Sequence, residues 1–521
     1  MSKKEFLTAD ITSKNIDDEY HKVIRKSQKP TILLCTPEIT ELPEGMGNAA
    51  NLVAAKGGGL GDISASLIRY LNESKKFDLH IVLPKYDSKI KSVADFTNRQ
   101  IDRLAIVLSG RGIHLVNDSA FSYLNSPYED NKFHSGIRRA LAFQRYIINN
   151  LLDWVKPDIV HCNDWMTALV PAAAKEKGIR SLFTLHNIFT EKQTLEQIEL
   201  SGLKPLEFAK YLYFEEFPDN FRENWYQHFK NNKVDFTASA ILASDYFNTV
   251  SESFLKELVD DYFPDLVPRS IYKTINEKYQ KGRALGITNA PNDTVNTKVM
   301  KDIINFNKHT VIEKKRENKK LFQQQVGLKI NLDKPLFFWP NRLYHQKAPD
   351  ILVNNAEYFM KKYDMQIAVV ANGDKKIEKK LRFLDKKYDD IAFKPFDEKL
   401  SNLGKAGADF ILMPSRYEPC GLPQMEAPRF GTLPIVRATG GLKDTVQQLD
   451  INKETGNGFL FEVADKYGLE YGISEAVNFY KLPALIKKKN IQRIISTSKR
   501  THNMKNTANK YIEIYNKLLD N

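Results

Sequence analysis

Residues 409–446 read DFILMPSRYEPCGLPQMEAPRFGTLPIVRATGGLKDTV. Two runs in this stretch, Asp409–Met413 and Leu433–Val436, are apolar without alternation, the pattern of strands buried on both faces. Between them a loop bearing proline and glycine leads into a helix over Gly421–Phe430. Strand, helix and strand in so short a span make a βαβ unit, and its strands must lie parallel.

The same rhythm extends in both directions. Upstream lie strands at Leu336–Trp339 and Gln366–Val370, with helices near Pro349–Lys362 and Lys375–Lys386; downstream a helix covers Lys466–Tyr480. The first half repeats it, with strands at Thr31–Cys35, Leu79–Leu83, Asp158–His161, Ser181–Leu185 and Tyr246–Val250. Its helices fall at Leu60–Leu71, Gly136–Trp154, Met166–Glu176 and Ser251–Val259. The fold class is therefore α/β, with two doubly wound parallel sheets. Their boundaries follow from composition. Residues 1–29 form a polar extension, 30–285 an N-terminal Rossmann-like domain and 286–303 a Gly/Asn/Pro-bearing linker. Residues 304–482 form the C-terminal Rossmann-like domain and 483–521 a basic helical segment.

Composition narrows the function. The chain has 521 residues, 42% hydrophobic and 27% charged, and its 30 Phe, 23 Tyr and 4 Trp exclude global disorder. Three cysteines, Cys35, Cys162 and Cys420, stand without a CxxC, which excludes a disulfide scaffold and a thiolate zinc site. No apolar run is long enough to span a bilayer, and MSKKEFLTADITSKN lacks the apolar core of a signal peptide, so a cytoplasmic protein is expected. The net charge is +13, but Lys487–Asn521 alone holds nine Lys/Arg against two Asp/Glu. No basic stripe interleaved with aromatics accompanies them, so no nucleic acid is expected. A membrane-surface or polyanion contact through the C-terminal segment stays open.

Open parallel sheets bind ligands beyond the carboxyl ends of their strands. Four stretches occupy such places or precede a helix: Lys56-Gly57-Gly58-Gly59-Leu60-Gly61-Asp62, Arg342 with Lys347, Glu418 through Glu426, and Thr439-Gly440-Gly441. Glycines allow close backbone approach, and helix N-termini attract anionic oxygen. A guanidinium and an ammonium five residues apart suit a diphosphate. A loop-tip carboxylate accepts from sugar hydroxyls.

In this combination the chain resembles the bacterial glycogen synthases and plant starch synthases. Lys56–Asp62 is similar to their K-x-G-G-L-G-D, Asn248–Phe254 to T-T-V-S-x-x-Y, Arg342–Lys347 to S-R-L-x-x-Q-K, and Leu412–Val446 to their most specific block. The resemblance implies the GT-B fold, two Rossmann-like domains facing across a cleft, with a C-terminal helix crossing back to the first. It implies a retaining transferase that moves glucose from ADP-glucose or UDP-glucose to an α-1,4-glucan. It implies no cofactor and no metal. Carried over by position, the catalytic candidates are Arg342, Lys347, Glu418 and His161. The donor contacts are Lys56, Gly58, Gly59, Cys420, Gly421, Leu422, Glu426, Thr439, Gly440 and Gly441.

The sequence departs from the family in places. In His161-Cys162-Asn163-Asp164-Trp165-Met166, positions 163 and 166 carry Asn and Met where the family has a histidine. This leaves His161, which reads equally as a structural residue or a ligand contact. Ala290-Pro291-Asn292 replaces G-I-D. Glu426 stands where starch synthases of this type usually carry Tyr, and the resulting E-x7-E spacing resembles other retaining GT-B transferases, in which the second glutamate binds the ribose. Two alternatives stand beside the glucosyltransferase reading: a related transferase with another donor sugar or acceptor, and a glucan- or nucleotide-binding protein without transfer activity.

Overall fold

The computed structural model describes residues 24, 27–41, 59–86, 108–121, 136–216, 225–298 and 300–520. They form two compact units. The first comprises the described residues up to Val250, then Leu255–Ile287 and the C-terminal stretch from Lys505; the second comprises Ser251–Phe254 and Thr288–Met504.

In chain order the strands of the first unit are β1 (Thr31–Cys35), β2 (Asp78–Pro84), β3 (Ile113–Val116), β4 (Ile159–Asn163) and β5 (Arg180–Leu185). They continue with β6 (Lys192–Thr194), β7 (Tyr213–Phe214), β8 (Lys233–Asp235), β9 (Tyr246–Thr249) and β10 (Ala284–Gly286). Seven of them make one sheet in the order β10-β9-β5-β4-β1-β2-β3, every pairing parallel. A small antiparallel sheet, β6-β8-β7, stands apart.

The second unit repeats the plan with β11 (Leu336–Trp339), β12 (Gln366–Val370), β13 (Ile391–Lys394), β14 (Phe410–Met413), β15 (Leu433–Arg437) and β16 (Phe459–Phe461). Their order is β13-β12-β11-β14-β15-β16, again all parallel. The unbroken apolar runs have their cause here. Phe337, Trp339, Ile367 and Val369 face one core cluster with the helices Pro349–Tyr363 and Lys466–Tyr480. Leu336, Phe338, Ala368 and Val370 face another with Val311–Val326 and Glu398–Gly407. Successive strand residues point to opposite faces, and both faces are covered.

The chain passes between units at positions the sequence reading had grouped together. Gly286 and Ile287 count with the first unit, and Thr288 onwards with the second. The C-terminal segment is two helices: Ala484–Thr501 belongs to the second unit and Met504–Leu519 to the first. The excess basic charge is thereby divided between two elements. Among the described residues no helix is long and apolar enough to cross a membrane.

Candidate active site

The second unit gathers three loops at the carboxyl ends of β11, β14 and β15. After β11, Trp339 Nε1 donates to Asn341 O at 2.7 Å. Leu343 then bridges to the end of β12, its N–H donating to Asn372 O at 2.9 Å while its carbonyl accepts from Asp374 N at 3.0 Å. With Leu343 buried, its neighbours Arg342 and Tyr344 point to solvent. The Arg342 guanidinium lies 5.6 Å from the Tyr344 ring centroid and pairs with no carboxylate among the described residues. A single turn, His345–Lys347, ends at Ala348 with φ 54°, which reverses the chain into the helix Pro349–Tyr363. That turn aims the Lys347 ammonium inward.

It meets Glu418. The Lys347 Nζ donates to the Glu418 carboxylate, whose same oxygen accepts from Ser415 Oγ at 3.0 Å. Glu418 is 4% exposed, and burying its polar oxygens without such partners would be costly. The third loop locks the second. Gly441 N–H donates to Glu418 O at 3.0 Å, and a Cβ at Gly440 would stand 2.0 Å from that carbonyl, at a φ of +45°. A Cβ at Gly441 would stand 2.4 Å from Cys420 Cα. Both glycines serve close backbone packing here, and Thr439 is fully buried before them.

Cys420 is buried, and burial pushes its thiol up to about 12. Gly421 has φ +76°, and with Leu422 it precedes the short helix Pro423–Glu426. The N–H groups of Gly421 and Leu422 donate to no acceptor among the described residues. Glu426 is ion-paired with Lys405 at 2.8 Å, both side chains mostly buried, and the pairing turns its carboxylate toward the helix Glu398–Gly407.

Sequence reasoning passed over the residues that hold these loops. Arg416 N–H donates to Gln346 O at 2.8 Å, its side chain donates to His345 O at 2.9 Å, and its fork grips Asp350 at 2.8 and 2.7 Å. The Arg416 guanidinium holds the Asp350 carboxyl below the usual carboxylate range. Arg437 donates to Arg416 O and to Glu462 O. Two arginines thus tie the three loops together. From the sequence they look like ordinary cations, because Asp350 and Glu462 lie far off along the chain.

Lys56 and Gly58 lie outside the described residues. Gly59 is exposed and opens the helix Gly59–Ser74 of the first unit. His161 stands on β4. It is fully buried, and burial pushes it down to about 3. Both ring nitrogens are used, Nδ1 with Tyr515 OH at 2.7 Å and Nε2 with Thr184 Oγ1 at 2.8 Å. Asn163, two residues on and on the same face of β4, stands at the strand end. Asn163 Nδ2 donates to Cys35 O at 3.1 Å, and its Oδ1 faces His186 Nε2 at 3.0 Å. Asp164, at φ +58°, accepts from the N–H groups of His186 and Asn187, at 2.7 and 3.3 Å. Burial still pushes its carboxyl up to about 7. His186 and Asp164 are thus the half-buried polar residues at this strand end.

Comparison with known proteins agrees with this architecture. Residues 32–267 match the starch synthase catalytic domain family and residues 322–508 the glycosyl transferases group 1 family. The glycogen synthase of Thermotoga petrophila is 31% identical over 493 residues, covering 89% of this chain and 96% of its own length. That of Alkaliphilus metalliredigens is 29% identical over 489 residues, covering 89% and 97%. Among solved structures, the catalytic domain of starch synthase IV from Arabidopsis thaliana superimposes with a TM-score of 0.74 at 24% identity, covering 95% of this chain and all of that one. The fold is GT-B, and the chain belongs to the glycogen synthase family. It is a glucosyltransferase of the glycogen and starch synthase type.

Proposed function

We propose that the second unit binds a nucleoside-diphosphate glucose, ADP-glucose first and UDP-glucose more weakly, and that the glucose passes with retained configuration to an α-1,4-glucan. The observation that carries this reading is the Lys347–Glu418–Ser415 contact, set at the ends of β11 and β14 with Arg342 exposed on the same loop as Lys347. An ammonium has three donors. One is committed to Glu418, which leaves others for a phosphate oxygen. Arg342 offers a free fork to the second phosphate. Glu418, fixed by two donors, keeps lone pairs for sugar hydroxyls. The amides of Gly421 and Leu422 lie on the same loop for anionic oxygen.

As the diphosphate leaves, its growing charge meets cations already in place, so no metal is required in this scheme and none is proposed. The leaving phosphate takes the acceptor's proton, in keeping with a site that uses no second carboxylate as base. Adenine as the base is supported by the Arabidopsis starch synthase structure, described as bound to ADP and acarbose. One observation favours a second reading, transfer of a different sugar: Asn163 is spent on Cys35 and His186 where the family offers a histidine.

Thermal shift with ADP, UDP and GDP, then with their glucose and mannose derivatives, tests the donor. A ligand that binds only the folded chain raises Tm by mass action. The expected order is ADP above UDP above GDP, with glucose derivatives above mannose derivatives. A largest shift with GDP-mannose would replace this reading with the second one.

A further inference from the structure

The amino-terminal edge of the first unit's sheet, at the opposite strand ends from Asn163 and His186, borders a half-open pocket of about 430 Å³. Three helix C-termini border it, those of Val170–Glu176, Phe236–Ala243 and Arg269–Gln280. The entries to β5 and β10 add Arg180 and Arg283, and Leu518 of the C-terminal helix closes one side.

Six cations line the cavity, Lys175, Arg180, Lys210, Lys278, Lys281 and Arg283, against two carboxylates, Asp245 and Glu277. Two of the six are matched: Lys210 with Glu176 at 2.8 Å and Lys281 with Glu277. The other four form no ion pair among the described residues. Asp245 spends one oxygen on Ser181 N–H, at 2.8 Å.

Capping of helix ends explains part of this. Lys175 Nζ donates to Ala243 O at 3.2 Å and Lys278 Nζ to Ser244 O, where cations offset the helix dipoles. Each helix end carries roughly half a negative charge, so three of them fall short of the cation excess. Capping also gives no account of Arg180 or Arg283. Lys278 is 9% exposed, and burial, with Lys175 beside it, pushes its ammonium down to about 8. An anion in the cavity would relieve that cost. The Tyr211 ring, with Lys175 and Lys210 at 5.3 and 5.0 Å from its centroid, supplies a flat apolar wall.

We infer that this cavity binds a small phosphate-bearing anion at a site separate from that of glucosyl transfer. The shared chemistry is a phosphate dianion, either free or esterified to a compact organic group that packs on Tyr211.

The test is calorimetric titration of the full chain with orthophosphate, pyrophosphate and a hexose monophosphate, each at constant ionic strength. Saturable binding of one equivalent is expected, and it should survive Arg342→Ala, which weakens only the donor loop. Arg180→Gln combined with Arg283→Gln, both half-buried at the rim, should raise Kd about tenfold or more, as loss of charged hydrogen bonds does. Melting curves of that variant should match the parent. Lys278→Met should abolish binding where the variant folds. Tighter binding of the hexose phosphate assigns an organic ester, and equal binding of orthophosphate a free phosphate. No saturable binding of any of the three would overturn the inference, as would binding lost on Arg342→Ala or unchanged in the Arg180/Arg283 variant.

Discussion

Glu418 and Arg342 stand at opposite extremes of burial, and their variants should behave differently. Arg342 is exposed and pairs with no carboxylate, so Arg342→Ala should leave stability within about 0.5 kcal/mol of the parent. Turnover should nevertheless fall about 10²-fold or more, as expected for a lost electrostatic contact to the leaving group. Lys347→Ala should cost activity and stability together. It strips a 4%-exposed carboxylate of its cation and leaves only Ser415, a loss of about 1–3 kcal/mol in denaturant unfolding. Equal stability of the two variants would contradict the geometry. Glu426 gives a second contrast. Its pairing with Lys405 fixes the carboxylate, and we propose that the carboxylate so placed contacts the donor ribose. Glu426→Gln should raise the donor KM and weaken discrimination against a 2′-deoxy donor, by about 1.5–3 kcal/mol if the contact is charged. Unchanged KM and discrimination would make it a structural ion pair. Lys347 and Glu418 were legible because they follow apolar runs directly. The clamp of Arg416 on Asp350 was not, since local pattern carries no trace of a partner sixty-six residues away.

The C-terminal helix Met504–Leu519 docks on the first unit's sheet through a chain of polar contacts rather than grease alone. Tyr515 OH donates to His161 Nδ1, and His161 Nε2–H donates to Thr184 Oγ1. Thr184 in turn donates to Asn248 Oδ1 at 2.7 Å, and Asn248 Nδ2 donates to Tyr511 OH at 3.3 Å. The direction follows from Thr184: its one proton goes to Asn248, so it must accept from the histidine. His161 is therefore neutral, and so is His186, both pushed down to about 3 from an ordinary 6.5 by burial. A lowered pKa means that the stability each provides is complete above pH 6.5 and is lost as pH falls toward 3. The slope is at most about 1.4 kcal/mol per pH unit per histidine. Unfolding followed from pH 7 to 4 should show this loss, and His161→Gln should flatten it by one proton. Tyr515→Phe should cost about 1–3 kcal/mol at neutral pH by orphaning Nδ1. An unaltered pH slope in His161→Gln would refute the assignment. Elements were readable where burial on both faces left apolar runs, as in β11, β12, β14 and β15. The helix Val311–Val326 was not, because its buried face includes Lys315, Asn318, Lys319 and Gln323. Lys319 is satisfied by Asp409 at 2.7 Å, a tertiary pairing that breaks the apolar period. The edge strands β13 and β16 are harder to separate from loop: β13 carries a half-buried Lys394 at its end, and β16 is only three residues long.

At the scale of the molecule, the chain divides its labour between two all-parallel sheets, one of seven strands and one of six. The proposed donor machinery lies in the second unit, and the first carries the strand-end residues Asn163, Asp164 and His186 with the C-terminal helix. The connections are themselves held. Arg429, 3% exposed, donates to Asn292 O at 3.0 Å, Val295 O at 3.3 Å and His502 O at 2.9 Å, tying within the second unit the two segments that lead out of it. The connecting stretch at 286–303 is legible in the sequence but this anchor is not, since the carbonyls that Arg429 holds lie 137, 134 and 73 residues away along the chain. The most direct test of the whole account is a transfer assay. The chain is incubated with ADP-glucose or UDP-glucose, a maltooligosaccharide and a chelator, and the anomeric signals of the product are followed by NMR. The expected result is elongation by α-1,4-linked glucose, faster from ADP-glucose and abolished by Arg342→Ala. A β-linked product, or no elongation from either donor by a chain that is folded, would contradict it.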